Sequence, residues 1–71
     1  MISYEPLMIL MKKENATTYT LREKGGIGSA TVTRILSGES ISTNTIDALC
    51  QLFNCKIEDL LEFIPPEEQS Q

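Results

Sequence analysis

The sequence predicts an all-α domain, a compact bundle in which five short helices enclose one hydrophobic core. Three observations support this fold class. Apolar residues recur at three- and four-residue spacing along most of the chain, and no segment alternates apolar and polar residues as a half-buried strand does. Glycines and asparagines separate the periodic segments and mark turns between helices. A chain of 71 residues suffices for one small domain and leaves little material for a deep catalytic cleft.

The first helix is predicted near the amino terminus. Ser3 is a suitable N-cap, and Pro6 is tolerated in the opening turn because backbone N–H groups there have no helical partner. The helix should continue to about Glu14 and stop at Asn15. Its buried stripe is expected to comprise Leu7, Leu10 and Met11.

Two short helices joined by a glycine turn follow. Thr17 is the predicted N-cap of the second helix, which runs through Lys24. Gly26 is suited to the left-handed backbone that ends a helix, and Gly28 takes the N-cap position of a third helix over residues 29–37. The apolar residues that hold the two helices together are expected to be Leu21, Ile27, Val32, Ile35 and Leu36.

The remaining two helices are predicted by the same periodicity. Ser42 caps the fourth helix and Asn54 closes it. The Pro65-Pro66 pair prevents any helix from continuing beyond residue 64. We therefore expect a folded domain over residues 1–64 and a polar acidic tail over residues 65–71. The apolar positions are Ile46, Leu49, Cys50 and Phe53 in the fourth helix, and Ile57, Leu60, Leu61 and Ile64 in the fifth.

The net charge of −4 argues against a general polyanion binder, since lysine and arginine contacts to phosphates supply most non-specific affinity for DNA. The charge is unevenly distributed. Residues 1–46 contain five basic and four acidic side chains, whereas residues 47–71 contain one basic and six acidic side chains. Because charges are screened over a Debye length of about 8 Å, the first part of the chain can face DNA despite the acidic end.

Metal binding and catalysis are not expected. Cys50 and Cys55 lie five residues apart in a chain without histidine, so a tetrahedral zinc site would lack ligands. We expect both cysteines to be small, reduced core groups, and we expect no cofactor and no small-molecule ligand. No arrangement of an activated nucleophile is present in the pattern, which predicts that the protein is not an enzyme.

A membrane location is not expected either. No apolar run approaches the roughly 20 residues that span a bilayer, and no basic flank precedes a hydrophobic segment at the start of the sequence. We therefore expect a cytoplasmic protein.

A more specific pattern combines apolar and glycine positions. These occur in the order Leu21, Gly26-Ile27, Val32, Ile35-Leu36 and Gly38, followed by Ser42, Thr45-Ile46, Leu49-Cys50, Phe53 and Asp59-Leu60-Leu61. In this order the chain resembles the Cro/repressor-type helix-turn-helix family of bacterial and phage transcription regulators, often called XRE-like, from Pro6 to about Ile64. The tail is similar to the I-P-x-E-E-like tail of short single-domain members from low-GC Gram-positive bacteria and mobile elements.

The resemblance implies a lambda-repressor-like fold that binds double-stranded DNA. The implied function is sequence-specific regulation of transcription, more specifically repression. In this family the third helix enters the major groove and the second helix crosses the DNA backbone. By position, the DNA-base contacts would be made by Ser29, Ala30, Thr33 and Arg34. The DNA-phosphate contacts would be made by Thr18, Ser37, Thr43 and Asn44.

The chemistry of these side chains agrees with the implied roles. Arg34 can bind guanine O6 and N7 with two hydrogen bonds. Hydroxyl and amide groups reach phosphate oxygens, and free N–H groups at a helix amino terminus attract anions.

The chain departs from the family pattern in three respects. Arg22 stands where a small alanine is usual, and a long guanidinium there must extend outward or separate the second and third helices. Thr18 replaces a longer glutamine, and the first recognition positions, Ser29 and Ala30, also lack a glutamine. We therefore expect modest discrimination between sequences, based on Arg34, a thymine methyl contact and DNA shape.

A homodimer is expected, at least on DNA. One domain with few basic groups buries too little surface for strong binding, and two copies spaced by about 34 Å would multiply weak half-site affinities. The expected self-association surface comprises Leu52, Phe53, Ile57, Leu61, Phe63 and Ile64. The alternative function is a protein-interaction module of the same fold, antitoxin-like or antirepressor-like, with weak or no DNA binding.

Overall fold

Two short strands, Ile2–Ser3 and Glu62–Phe63, pair in a small antiparallel sheet, and four α-helices between them surround one core. A computed structural model describes residues 1–69. The predicted helical architecture is confirmed, whereas the predicted number of five helices in the domain is wrong. In chain order the elements are β1 (Ile2–Ser3), α1 (Glu5–Lys13), α2 (Thr18–Glu23), α3 (Ser29–Leu36), α4 (Thr43–Phe53), a 3₁₀ turn (Ile57–Asp59), β2 (Glu62–Phe63) and α5, a single turn over Pro66–Gln69.

The segment predicted as the fifth helix, residues 57–64, forms the 3₁₀ turn and β2 instead. The carbonyl oxygen of Leu60 accepts a hydrogen bond from the backbone N–H of Leu7 at 3.1 Å. This N–H lies in the first turn of α1, where helical N–H groups have no partner within the helix. Because the Leu60 carbonyl oxygen is hydrogen-bonded to α1 rather than to a continuing helix, the chain extends from Leu61 into β2.

The sheet was not expected from the sequence, which we interpreted as free of strands. The amino-terminal ammonium group of Met1 donates to the carbonyl oxygen of Ile64 at 2.7 Å, and the Ile64 N–H donates to the Met1 carbonyl oxygen at 2.8 Å. Strands of two residues are too short to show the alternation that predicts a strand. The antiparallel register is Ile2 with Phe63 and Ser3 with Glu62.

Several predicted helix ends are confirmed. The Oγ of Ser42 accepts a hydrogen bond from the Thr45 N–H at 3.2 Å and caps α4. Asn54 ends the same helix with φ +50°, in the left-handed region. Thr17 caps α2, and its own backbone N–H donates to Oγ1 of Thr20 at 3.1 Å in a capping box.

The start of α1 differs by one residue from the prediction. Tyr4 rather than Ser3 occupies the N-cap position, and the Oγ of Ser3 accepts a hydrogen bond from the Glu5 N–H at 3.1 Å. Tyr4 is buried. We attribute its N-cap position to the burial of its ring, which outweighs the preference of N-cap positions for a hydroxyl side chain. The helix ends at Lys13, and Asn15 adopts φ +56° in the turn that follows.

The core lies between α1, α2, α3 and α4. Val32 and Ile35 occupy the core face of α3, but Leu36, which was also expected inside, is 58% exposed. Successive helical residues are rotated by about 100°, and this rotation directs Leu36 to an open groove beside α2. Ile57, predicted on a buried stripe, is also exposed. The buried residues are Tyr4, Leu7, Met11, Leu21, Ile27, Val32, Ile35, Leu49 and Leu60.

The turn α5 lies within residues 65–71, the segment predicted as a polar acidic tail. Residues 70 and 71 of that segment lie outside the described residues. The division into residues 1–64 and 65–71 stays a prediction. None of the helices within residues 1–69 has the length and apolar character that a membrane crossing requires.

Candidate nucleic-acid interface

The turn between α2 and α3 fixes the angle between the two helices. Gly26 has φ +66°, as predicted for the residue that ends α2. Gly25 has a different constraint, because a Cβ atom there would lie 2.6 Å from the carbonyl oxygen of Leu21 and 3.1 Å from Cδ2 of Leu52. The N–H of Ile27 donates to the same Leu21 carbonyl at 3.1 Å. The chain therefore turns tightly against both α2 and α4.

The inner face of α3 packs on the core, and its outer face is open. Leu21 on α2 is fully buried, and Val32 and Ile35 on α3 are nearly so. The four residues predicted to contact bases are all exposed on the outer side. Their spacing places them on neighbouring positions over two helical turns, so they form one continuous surface. These residues are Ser29, Ala30, Thr33 and Arg34.

A shallow groove of about 230 Å³, here called the α2–α3 groove, separates the outer edges of α2 and α3. It brings together Ser29 and Thr33, two predicted base-contact residues, with Thr18, a predicted phosphate-contact residue. Ala30 and Arg34 lie on α3 outside this groove. The residues that line the groove are Thr18, Arg22, Ser29, Val32, Thr33 and Leu36.

Hydrogen bonding limits what this surface can offer to a ligand. The Thr33 hydroxyl donates to the carbonyl oxygen of Ser29 at 3.1 Å, so its proton is engaged within α3 while its oxygen lone pairs and its methyl group remain. The guanidinium group of Arg34 has no ion-pair or hydrogen-bond partner within residues 1–67, the part of the chain whose side chains the structure describes. Arg34 is thus the strongest free donor on the outer face of α3.

The other predicted phosphate-contact residues are distributed around α3. Thr43 and Asn44 are exposed in the first turn of α4, directly after its cap. Ser37 is exposed at the carboxyl end of α3, but it lines a different recess, which it shares with Gly38 and with residues 1–5. The structure therefore brings Thr18 to the α2–α3 groove and keeps the other three outside it.

Arg22 and Leu36 also line this groove, although the sequence pattern did not predict them as parts of a DNA-contact surface. Arg22 extends outward and is exposed, which is one of the two arrangements expected for it, and the buried Leu21 and Val32 keep α2 and α3 packed together. The sequence did contain one indication that Arg22 belongs to this surface. It lies one helical turn after Thr18 and therefore on the same face of α2.

Cys50 lies near the carboxyl end of α4 and Cys55 follows that helix. Neither lines the α2–α3 groove, and both are free thiols that are partly buried. Burial raises the pKa of the Cys55 thiol, and the neighbouring Cys50 and Asp59 raise it further. Among residues 1–67, whose side chains are described, no group of three or more histidine, cysteine, aspartate or glutamate residues is arranged to hold a metal ion.

Comparisons with known proteins agree with this geometry. Residues 7–66 match the family model of the Cro/C1-type HTH DNA-binding domain. The structure is similar to the crystal structure of the transcriptional regulator VanUg, form II, with a TM-score of 0.84 and 28% sequence identity. The similarity covers 90% of this chain and 85% of that chain. Comparison with curated proteins gives no match.

Proposed function

The chain belongs to the Cro/C1-type helix-turn-helix DNA-binding family, and from this premise we propose that it is a sequence-specific repressor of transcription. The observation that carries the proposal is the outer face of α3. This face is exposed. Its Ser29 and Thr33 side chains are short and polar, Ala30 is small, and Arg34 carries an unpaired guanidinium group. An α-helix with such a surface fits the major groove of DNA.

In the proposed complex α3 is the recognition helix. Arg34 binds a guanine edge with two hydrogen bonds, and Ala30 contacts a thymine methyl group. Thr33 accepts a hydrogen bond or packs through its methyl group, since its proton is already donated within α3. Ser29 supplies a hydroxyl at the first turn. These contacts are few, so the site is expected to tolerate several base changes.

The phosphate contacts in the proposal come from both sides of α3. In the proposed complex, Thr18 in the first turn of α2 contacts the DNA backbone that α2 crosses. Ser37 contacts the backbone from the carboxyl end of α3. Thr43 and Asn44 add hydroxyl, amide and backbone N–H donors from the first turn of α4. Such contacts fix the register of the protein on the duplex without carrying sequence information themselves.

We further propose that two copies bind a palindromic site. Of the expected self-association surface, Ile57 and Phe63 are 54% and 64% exposed, whereas Leu52, Phe53, Leu61 and Ile64 are partly buried. Phe63 pairs across the sheet with Ile2, which is also exposed. Burial of this apolar surface between two copies would add to the weak affinity of each half-site.

Selection of bound duplexes from a random library tests the proposal. We expect a recurring motif with two half-sites about one helical turn apart, and affinity that rises as salt is lowered. Sedimentation should then show two protein chains on a duplex with both half-sites and one chain on a duplex with a single half-site. Absence of any preferred motif, with no salt-dependent binding, would instead favour the protein-interaction module.

A further inference from the structure

Arg22 is the one charged side chain among the residues that line the α2–α3 groove. It is exposed, and its guanidinium group has no ion-pair or hydrogen-bond partner among the side chains and backbone of residues 1–67. An exposed arginine is usually solvated surface, so its position relative to the other groove residues decides its significance. Thr18 precedes it by one turn on the same face of α2, and Ser29 and Thr33 lie across the groove on α3.

We propose that Arg22 binds a phosphate of the DNA backbone and thereby fixes the orientation of α3 in the major groove; this inference rests on the proposed function. In a helix-turn-helix complex the helix before the recognition helix crosses the backbone. The α2 side of the groove therefore faces the phosphates that border the major groove. Thr18 is too short to reach far from this side, whereas Arg22 carries a long side chain from the same face.

The chemistry of the group favours a phosphate over a base. Guanidinium forms two parallel hydrogen bonds to phosphate oxygens and stays charged at any relevant pH. Base edges are reached from the outer face of α3, whereas Arg22 lies on α2, across the groove from Ser29 and Thr33. Arg22 is thus a positioning residue that orients the protein on the duplex and carries no sequence information itself.

The small number of cations makes this contact important. The whole chain has six lysine and arginine residues against ten acidic ones. Neutral hydroxyl and amide contacts release few counterions, so the salt dependence of binding depends on the cations that touch phosphates. We infer that Arg22 supplies a measurable part of that dependence.

Arg22→Gln and Lys24→Gln are matched variants for the test. Both remove one positive charge from the same short segment, but Lys24 lies at the carboxyl end of α2 and lines a different recess, together with Gly25, Asp47 and Gln51. Each variant and the wild type are titrated with the library-selected duplex and with a scrambled duplex at several salt concentrations. Circular dichroism melting checks that the exposed substitutions leave folding unchanged.

For Arg22→Gln we expect weaker binding to both duplexes by the same factor, and a slope of log affinity against log salt that is smaller by about 1. Lys24→Gln should keep the wild-type slope. A series of selected duplexes, each with one phosphate replaced by an uncharged methylphosphonate, should contain one position that weakens the wild type and leaves Arg22→Gln unaffected. That position identifies the phosphate that Arg22 binds.

Two results would overturn the inference while leaving the proposed function intact. One is an unchanged slope in Arg22→Gln. The other is a loss confined to the selected duplex with relaxed preference at one base pair, which would make Arg22 a base contact. A wild-type protein that binds no duplex at any salt concentration would overturn the proposed function and this inference together.

Discussion

The hydroxyl group of Tyr4 donates a hydrogen bond of 2.6 Å to the backbone carbonyl oxygen of Glu39. Tyr4 is buried at the start of α1, and Glu39 lies in the loop that follows α3. The backbone N–H of Glu39 also donates to the carbonyl oxygen of Arg34 at 2.8 Å. The carboxyl end of the proposed recognition helix is thus held from both sides, by its own last turn and by α1.

Tyr4→Phe tests this connection. The substitution removes one hydrogen bond and leaves the ring in place, so the free energy of unfolding should fall by about 0.5–1.5 kcal/mol. Tyr19→Phe is the matched control, since Tyr19 is 62% exposed and its hydroxyl has no hydrogen-bond partner within residues 1–67. Urea unfolding of both variants provides the measurement. Equal stability of Tyr4→Phe and Tyr19→Phe would contradict the role given to the bond.

Leu21→Ala and Leu36→Ala compare two leucines of the helix-turn-helix. Leu21 is fully buried and Leu36 is 58% exposed. Leu21→Ala should lower the free energy of unfolding by about 2–5 kcal/mol, whereas Leu36→Ala should change it by less than about 0.5 kcal/mol. Val32→Ala should also destabilise, on the order of 1–4 kcal/mol. Thermal melting that is the same for all three variants would mean that the helix faces are wrongly assigned.

Gly25→Ala should destabilise the domain through a steric clash. The added Cβ would lie 2.6 Å from the Leu21 carbonyl oxygen, and relief of such overpacking costs about 1–3 kcal/mol. Gly28→Ala, where nothing lies within 4 Å of the added atom, should lose only the N-cap preference of glycine over alanine, which is smaller than the Gly25 effect. Chemical unfolding of the two variants gives the comparison, and a larger loss for Gly28→Ala would refute this account of the turn.

Arg34→Ala tests the proposed base contact. If Arg34 reads a guanine, affinity for the selected duplex should fall by about 1–3 kcal/mol and preference should relax at one base pair of each half-site. Arg34→Lys should not restore the preference, because an ammonium group lacks the planar pair of donors.

Lys12→Ala is the control for Arg34→Ala, since Lys12 is exposed on α1 outside the proposed interface. Its effect should be small and equal on selected and scrambled duplexes. Equal losses on the two duplexes for Arg34→Ala would make Arg34 a phosphate contact.

The thiol of Cys55 should react slowly with iodoacetamide at neutral pH. Because its pKa is raised in the folded protein, chiefly by burial, the pH midpoint of its alkylation should lie above the ordinary thiol value of 9.0. The folded state holds the proton more tightly than the unfolded state, so the contribution of Cys55 to stability is lost as pH rises through the folded pKa. Peptide mapping of folded and urea-unfolded protein measures both midpoints, and identical midpoints would exclude the shift.

The sequence predicted the four helices between residues 5 and 53 because helix caps and apolar spacing involve only neighbouring residues. A capping Ser42, a left-handed Asn54 and the periodic Val32 and Ile35 act within one or two helical turns. The same spacing could not predict that Leu36 is exposed, since this depends on where α2 lies beside α3. The candidate base contacts followed from the position of α3 in the motif, and they stay predictions until binding is measured.

The sequence by itself determined the helix-turn-helix and the residues on its outer face, because helix caps, glycine turns and apolar spacing are properties of neighbouring residues. Only the tertiary structure decided the conformation of residues 57–64 and the role open to Arg22. The Leu60 carbonyl oxygen accepts a hydrogen bond from the Leu7 N–H rather than from a residue of a continuing helix. Arg22 lines one groove together with Ser29 and Thr33. Both outcomes depend on how separate elements pack, and the pattern within one element does not record which groups of another element will lie beside it.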